Sequence, residues 1–116
     1  MNILFHIDDT SRWMVLMSSV KNTVKYGEET GEKIGIEIVA NSDAVEFLLP
    51  EIAEKKKLEE DFKTLLAKGV KIVACKNALI AHGIEDEQLI PGIEVVRASM
   101  IELAEKQNEG YAYIRP

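Results

Sequence analysis

Cys75 is the only cysteine in this chain of 116 residues, and it is the side chain best suited to nucleophilic chemistry. It follows a β-branched run at residues 70–73 and precedes a segment that ends at Gly83, a pattern that predicts a buried strand leading into a helix. At the start of a helix, with Lys76 beside it, a thiol is favoured as the reactive thiolate. Unpaired cysteines are also common as small apolar packing residues, so both a reactive and a packing role stay open.

The count of one cysteine restricts the redox and metal chemistry open to the chain. It excludes an internal disulfide, a Cys-x-x-Cys redox centre and a cysteine-rich zinc site within one molecule. Disulfide or persulfide chemistry at Cys75 must therefore involve a second molecule.

Polar residues lie at or just after the ends of the other predicted strands, as Cys75 does at the end of the third strand. Parallel strands collect their carboxyl ends at one edge of a sheet, where such folds hold their ligands. The pocket candidates at this edge are Asp8 and Asp9 after the first strand, Asn41 and Ser42 after the second, and Asn77 just beyond Cys75, with Ala98 and Ser99 nearby. Asp8 and Asp9 could cap the following helix, form an acid pair at the site, or do both.

The histidines and the C-terminal tyrosines favour structural roles. His6 lies within an apolar strand, which is typical of a hydrogen-bonded core residue, and His82 lies at a helix end, where a cation is favoured. Neither histidine has other ligands at metal-binding spacing, so we expect no metal and no cofactor. Tyr111 and Tyr113 are expected to close the edge of the core or to contact another subunit.

Hydrophobic periodicity divides the chain into alternating strands and helices. Strands are predicted at residues 2–8, 34–40, 70–75 and 93–96, with a short edge strand at 111–114. The first helix is capped by Thr10 or Ser11 and stops at Gly27, the second is interrupted at Pro50 and ends at Gly69, and the last opens with a Ser99–Glu102 capping box. Four strand–helix alternations predict an α/β fold over residues 1–116 as one domain, with a mostly parallel sheet of about five strands between helices. The order of the strands does not follow from the sequence.

The composition excludes several classes of function. A hydrophobic fraction of 47% fits an ordinary globular core, and a formal net charge of -6 without a visible basic patch argues against nucleic-acid binding. No apolar run approaches the roughly 20 residues that span a bilayer, and the N-terminus lacks the pattern of a secretory signal. We therefore expect a cytoplasmic protein that binds neither nucleic acid nor membranes.

Two phosphate chemistries of similar folds do not fit the motifs. A receiver domain has its phosphate-accepting aspartate at the end of the third strand, where this chain has Cys75. A low-molecular-weight phosphatase needs an arginine six residues beyond its cysteine, where this chain has Ala81. No glycine-rich phosphate loop follows the first strand.

Over nearly its whole length the chain resembles the DsrE/DsrF family of small sulfur-relay proteins, in particular its stand-alone branch. The matching motifs are residues 5–9 (Phe-His-Ile-Asp-Asp), 39–41 (Val-Ala-Asn), 73–77 (Val-Ala-Cys-Lys-Asn) with Gly83, and 109–114 (Glu-Gly-Tyr-Ala-Tyr-Ile). The resemblance implies a flavodoxin-like α/β/α sandwich that assembles into homotrimers or homohexamers. It also implies that a cysteine at the place of Cys75 accepts sulfane sulfur as a persulfide and passes it to a partner. Asn41 and Asn77 match motifs of the branch and remain pocket candidates only.

Two functional hypotheses follow. In the first, the chain is a cytoplasmic, homo-oligomeric sulfur carrier that holds sulfane sulfur on Cys75 and exchanges it with donor and acceptor proteins. The lack of a second cysteine agrees with this role, since an internal thiol would discharge the persulfide. In the second, the chain is a non-catalytic oligomeric module that binds a small molecule near Asp8, Asn41 and Asn77, and Cys75 is a packing residue.

Overall fold

The computed structural model describes residues 1–116 and contains one five-stranded sheet, formed by β1 (Asn2–Ile7), β2 (Gly35–Ala40), β3 (Lys71–Cys75), β4 (Glu94–Val96) and β5 (Ala112–Ile114). The order across the sheet is β4-β3-β2-β1-β5. Every neighbouring pair of strands is parallel. The α/β class predicted from the sequence is therefore confirmed, and the sheet is wholly parallel.

Five α-helices accompany the sheet: α1 (Trp13–Thr30), α2 (Pro50–Lys55), α3 (Glu59–Ala67), α4 (Lys76–Ala81) and α5 (Ser99–Asn108). Short 3₁₀ helices occur at Thr10–Arg12, Ser42–Leu48 and Asp86–Gln88. The predicted interruption at Pro50 is confirmed, because Pro50 lies in the first turn of α2, where its missing N–H leaves no bond unmade. None of the helices is both long and apolar enough to span a membrane.

One face of the sheet carries the main core. Alternate residues of β1, β2 and β3 join α1 to α4 and their connections in a cluster of 26 buried residues. Its largest member is Trp13, whose ring meets Phe62 edge-on at a centroid distance of 5.2 Å. Trp13 Nε1 also donates to the carbonyl oxygen of Ala44 at 3.0 Å. These contacts hold α1, α3 and the 3₁₀ helix that follows β2 in one layer.

The other face of the sheet is covered by α5. From β1 to β4 the chain advances one strand at a time in one direction, so right-handed crossovers place all the intervening helices on the same face. The last connection returns across the sheet to β5, and its helix therefore falls on the opposite face. There Leu103 packs with Leu4, Val39 and Val73 in a small apolar cluster of four buried residues. The predicted three-layer α/β/α arrangement is thus confirmed, with one layer that consists of a single helix.

Two predicted ends of the first helix are wrong. Gly27 lies inside α1, which is capped by Gly31 in the left-handed conformation with φ of 77°. An interior glycine costs a helix about 1 kcal/mol, and the packing of α1 on the core outweighs this. At the other end α1 follows Arg12 without a side-chain cap bond, so neither Thr10 nor Ser11 caps it. Asp9 caps the 3₁₀ helix Thr10–Arg12 that leads into α1, where its carboxylate accepts the backbone N–H of Ser11 at 2.8 Å, and the capping alternative for Asp9 is confirmed.

The predicted Ser99–Glu102 capping box is also wrong. Ala98 occupies the N-cap position of α5 and makes no side-chain cap bond. The Ser99 hydroxyl instead accepts a hydrogen bond from Asn41, and the Glu102 carboxyl faces Glu37. The side chains of Ser99 and Glu102 therefore contact residues of β2 and of the segment just after it instead of capping α5.

Candidate functional site

Cys75 is the last residue of β3 and the N-cap residue of α4, which places it at the strand–helix junction predicted from the sequence. Its side chain is 5% exposed and contacts the main core. Val96 of β4 pairs with Cys75, and the chain turns into α5 directly afterwards. Cys75 therefore lies where the beginnings of two helices meet.

The surroundings of the Cys75 sulfur favour its ionised form. Burial raises the pKa of the Cys75 thiol, but hydrogen bonding to the sulfur by the Ser99 hydroxyl and by the backbone N–H groups of Ala78, Ser99 and Asn77 outweighs burial. The pKa of Cys75 therefore lies below its ordinary value of 9.0. The thiolate is the form in which a cysteine acts as a nucleophile.

A line of hydrogen bonds leads from Ser99 across the face of the sheet that α5 covers. Asn41 Nδ2 donates to Ser99 Oγ at 3.1 Å, and Asn41 Oδ1 lies 3.1 Å from His6 Nε2. All three side chains are buried. They come from the end of β2, from β1 and from α5, so the line ties the helix to the centre of the sheet. The prediction that His6 is a hydrogen-bonded core residue is confirmed.

Tyr113 of β5 completes this line. Its hydroxyl lies 2.6 Å from His6 Nδ1, and the centroids of the two rings are 5.8 Å apart. We refer to the side chains of Tyr113, His6, Asn41 and Ser99 as the polar chain. It runs from the edge strand β5 to the beginning of α5, and its last member, Ser99, is among the groups that lower the pKa of the Cys75 thiol.

The predicted acid pair, Asp8 and Asp9, lies outside the polar chain. The Arg115 guanidinium donates from Nη2 to both carboxylate oxygens of Asp8, at 2.7 and 2.8 Å. Asp9 is exposed, and the backbone N–H of Ser11 is the main cause that holds the pKa of Asp9 below its ordinary value. Both aspartates line an open cleft of about 380 Å³ that reaches His6. The acid pair therefore borders the polar chain without joining it.

Ser42 and Asn77 take different places at the sheet edge. Ser42 is exposed and begins its 3₁₀ helix in the left-handed region, with φ of 49°. Asn77 directs its backbone N–H to Cys75 and lines a cleft of about 520 Å³ beside α5, together with Arg97. This cleft borders both helix beginnings that meet at the sulfur.

The polar chain includes three residues that the sequence does not assign to the pocket. A polar residue within an apolar strand is the only local signal for His6, and the position after a strand is the only one for Ser99. Nothing local distinguishes Tyr113 from a residue of an ordinary edge strand. Of the five predicted pocket residues, Asn41 enters the polar chain.

A second buried polar group lies beneath α5. Glu37 of β2 is 1% exposed, and neither of its carboxylate oxygens nor Oε2 of Glu102 meets a hydrogen-bond donor. Burial, followed by the hydrogen bond and the charge of Glu102, raises the pKa of Glu37 to about 8, while Lys71 and Lys106 oppose the rise. The Lys71 ammonium lies 3.7 Å from Glu37 Oε1. One proton shared between the two carboxyl groups satisfies one oxygen of each.

One group of side chains has the composition of a metal site. His82, at the C-cap of α4, has Nε2 3.2 Å from Asp43 Oδ1 and Nδ1 3.0 Å from Glu46 Oε1. The three possible ligand atoms lie within 4.8 Å of one another. Each ring nitrogen faces a carboxylate, so a metal ion would take the place of the hydrogen at the ring nitrogen that it binds.

Fold and site together define a class of protein: a small, wholly parallel α/β chain with a buried, hydrogen-bonded thiol at the end of its third strand. The chain belongs to the DsrE/DsrF-like family, whose family model matches residues 5–116. The resemblance seen in the sequence motifs is therefore confirmed. No curated protein is detectably similar to the chain.

Solved structures extend the comparison. A protein of unknown function, MTH1491 from Methanobacterium thermoautotrophicum, is 35% identical, with a TM-score of 0.87 over 99% of this chain and 98% of that one. The ychN protein from E. coli is 20% identical, with a TM-score of 0.73 over the whole of both chains. The conserved protein of unknown function BT1422 from Bacteroides thetaiotaomicron is 17% identical, with a TM-score of 0.69 over 99% of this chain and 94% of its own. The last two likenesses concern the fold alone.

Proposed function

We propose that the protein is a sulfur carrier that holds sulfane sulfur as a persulfide on Cys75 and passes it to a partner. The observation that carries the proposal is the environment of the sulfur. Backbone N–H groups at the beginnings of α4 and α5, together with the Ser99 hydroxyl, favour the thiolate. The chain has no second cysteine that could discharge a persulfide. Membership of the DsrE/DsrF-like family supports the same role, because the resemblance to its sulfur-relay proteins implies a persulfide-forming cysteine at the place of Cys75.

In the loading step the Cys75 thiolate attacks the outer sulfur of a donor persulfide, R–S–SH. A bond forms between that sulfur and Cys75, the S–S bond of the donor breaks, and its electron pair leaves with the donor as R–S⁻. The proton stays on the transferred sulfur. An acceptor thiolate repeats the same exchange on the loaded protein and returns Cys75 to the thiolate, without net oxidation or reduction.

The donors around Cys75 serve both directions of this exchange. They raise the thiolate fraction for attack on the sulfur donor, and they stabilise the same thiolate when it becomes the leaving group. A leaving thiol with a lower pKa departs faster. The arrangement therefore suits a carrier that must release its sulfur as well as accept it.

The low exposure of Cys75 favours a second function, a non-catalytic oligomeric module that binds a small molecule. In that case Cys75 is a packing residue of the main core, and Asp8, Asn41 and Asn77 border the ligand. Thiol chemistry separates the two functions. A carrier requires rapid alkylation of the folded protein at neutral pH, whereas a packing thiol reacts slowly and has a pKa near or above about 8.5.

Intact-mass spectrometry after incubation with a sulfane donor tests the carrier function. The loaded protein is expected to gain about 32 Da, the mass of one sulfur atom, and to lose it when a reducing thiol is added. Cys75→Ser is the matched control, because it exchanges sulfur for oxygen and leaves the surrounding donors in place. The proposal fails if the wild-type protein gains no mass, or if Cys75→Ser gains as much.

We also propose that the protein works in the cytoplasm as a homotrimer or homohexamer, with separate sulfur donor and acceptor proteins. β5 is a three-residue edge strand, and its Tyr113 and Ile114 are each 41% exposed. Open edges and exposed apolar side chains of this kind are often covered by another chain. Sedimentation at micromolar concentration tests the assembly, and a species of 13.0 kDa, the mass of one chain, would contradict it.

A further inference from the structure

The direction of each hydrogen bond in the polar chain follows from the chemistry of its members. An amide oxygen only accepts, so His6 Nε2 carries the proton that it donates to Asn41 Oδ1 at 3.1 Å. An amide nitrogen only donates, so Asn41 Nδ2 gives a hydrogen to Ser99 Oγ at 3.1 Å. The single hydroxyl proton of Ser99 is then free to point at the sulfur of Cys75.

The opposite orientation of the Asn41 amide would have the opposite effect. With its oxygen toward Ser99, the amide would draw the hydroxyl proton of Ser99 away from the sulfur. A proton on His6 Nε2 disfavours this orientation, and the Tyr113 hydroxyl, 2.6 Å from His6 Nδ1, favours the ring form that carries the proton on Nε2. Because His6, Asn41 and Ser99 are buried, a partner lost from the chain is not readily replaced by water.

We propose that His6 and Asn41 are positioning residues that turn the Ser99 hydroxyl proton toward Cys75 and thereby hold the sulfur as the thiolate. Neither residue touches the sulfur, and both act through Ser99. Tyr113 is the outermost member, because it acts on His6. The proposal rests on the proposed function for its biological meaning, since loading and release both use the thiolate, but the ionisation of the thiol is measured without any sulfur donor.

The test is the thiol pKa of the full chain, measured from the rate of alkylation by iodoacetamide between pH 5 and 10. Ser99→Ala is expected to raise the pKa by about 1, the usual worth of one hydrogen bond to a charged acceptor. At pH values below the wild-type pKa the thiolate fraction then falls about tenfold, the nucleophilicity of the thiolate rises about threefold, and alkylation slows about threefold. Ser99→Thr keeps a hydroxyl and should retain the wild-type pKa. Asn41→Asp should raise the pKa at least as much as Ser99→Ala, because a carboxylate only accepts.

A double-mutant cycle distinguishes positioning from a direct effect on the sulfur. Asn41→Ala is expected to raise the thiol pKa in the wild-type background and to change it no further in the Ser99→Ala background. Equal increases in both backgrounds, or no increase in the wild-type background, would overturn the proposal. If Asn41→Ala does not fold, as judged by circular dichroism, His6→Phe replaces it in the cycle, because phenylalanine keeps a ring and removes the donor.

A control variant and a second measurement complete the design. Ser19→Ala removes an exposed hydroxyl that donates to the Val15 carbonyl on α1, and it should leave the thiol pKa unchanged. The mass gain with a sulfane donor is recorded on the same proteins. If the variants raise the thiol pKa but the wild-type protein gains no sulfur, the positioning role stands and the carrier function is rejected. If the wild-type protein gains sulfur but no variant changes the thiol pKa, the carrier function stands and the positioning role is rejected.

Discussion

Replacing Glu37 by glutamine is expected to change how the stability of the protein depends on pH. The Glu37 carboxyl is buried against Glu102, and its pKa is raised from 4.5 to about 8. Glutamine keeps the shape of the side chain, can donate an amide hydrogen to the Glu102 carboxylate, and carries no charge at any pH. The variant therefore isolates the contribution of the bound proton.

The sign follows from which state holds the proton more tightly. Because the pKa of Glu37 is higher in the folded chain, the wild-type free energy of unfolding falls as the pH rises from about 4.5 to about 8, and the full loss remains above that interval. At about 1.4 kcal/mol per pH unit, the interval corresponds to about 5 kcal/mol. This figure is an upper limit, because Glu102 shares the proton and the pair can relax. Small proteins are stable by only about 5–15 kcal/mol, so even half of this pH-dependent loss of stability would be measurable.

Urea unfolding between pH 5 and 9, followed by the fluorescence of Trp13, measures the difference. Trp13 is the only tryptophan and is fully buried, so its emission reports the loss of the main core. The free energy of unfolding of Glu37→Gln, relative to that of the wild-type protein, should increase with each pH unit up to about 8. Glu94→Gln removes an exposed carboxylate 3.8 Å from Lys71 and is the matched control, with a profile parallel to that of the wild type. If the free energies of unfolding of Glu37→Gln and of the wild type depend on pH in the same way, Glu37 does not hold a proton in the folded protein.

Three further changes address other contacts. Leu103→Ala removes the one α5 residue of the small apolar cluster and should lower the free energy of unfolding by about 2–4 kcal/mol in urea; a loss below about 1 kcal/mol would mean that polar contacts hold the helix. Arg115→Ala breaks an exposed ion pair with Asp8, so unfolding should change by less than about 1 kcal/mol while hydrogen exchange in β5 becomes faster, and unchanged exchange would contradict an anchoring role. Trp13→Phe leaves the Ala44 carbonyl without its donor and opens a cavity, which should cost about 2–4 kcal/mol by circular dichroism; a cost below about 1 kcal/mol would show that the core closes around the smaller ring.

The strands and the junction at Cys75 can be predicted because their signals are local. Apolar residues without helical period mark β1, β2 and β3, and glycines bound the segment that contains Cys75. The order of the strands cannot be predicted in this way. Residues such as Leu4 and Val39 make β1 and β2 apolar on both faces, so the strands themselves do not specify their neighbours.

The polar chain cannot be predicted from local sequence patterns, because its members come from distant parts of the sequence. Its bonds span 35, 58 and 107 residues. At Ser99 and Glu102 the local pattern even points elsewhere, to a capping box. A cap contributes about 1 kcal/mol, whereas a buried amide and a buried carboxyl left without partners would each cost about 1–3 kcal/mol. The long-range partners Asn41 and Glu37 therefore prevail over the local motif.

The return of the chain from β4 to β5 means that the polar chain is completed only after the residues of the main core have been synthesised. Every residue of the main core up to Ile90 precedes Ser99 and Tyr113 in the sequence. During translation a domain folds from its N-terminal side as the chain emerges. A chain arrested before α5 would possess the residues that bury Trp13, yet its Cys75 would lack the Ser99 hydroxyl and remain closer to an ordinary thiol. Under the proposed positioning role, the sulfur gains its thiolate character only once α5 has docked, and nascent chains without α5 carry a less reactive cysteine.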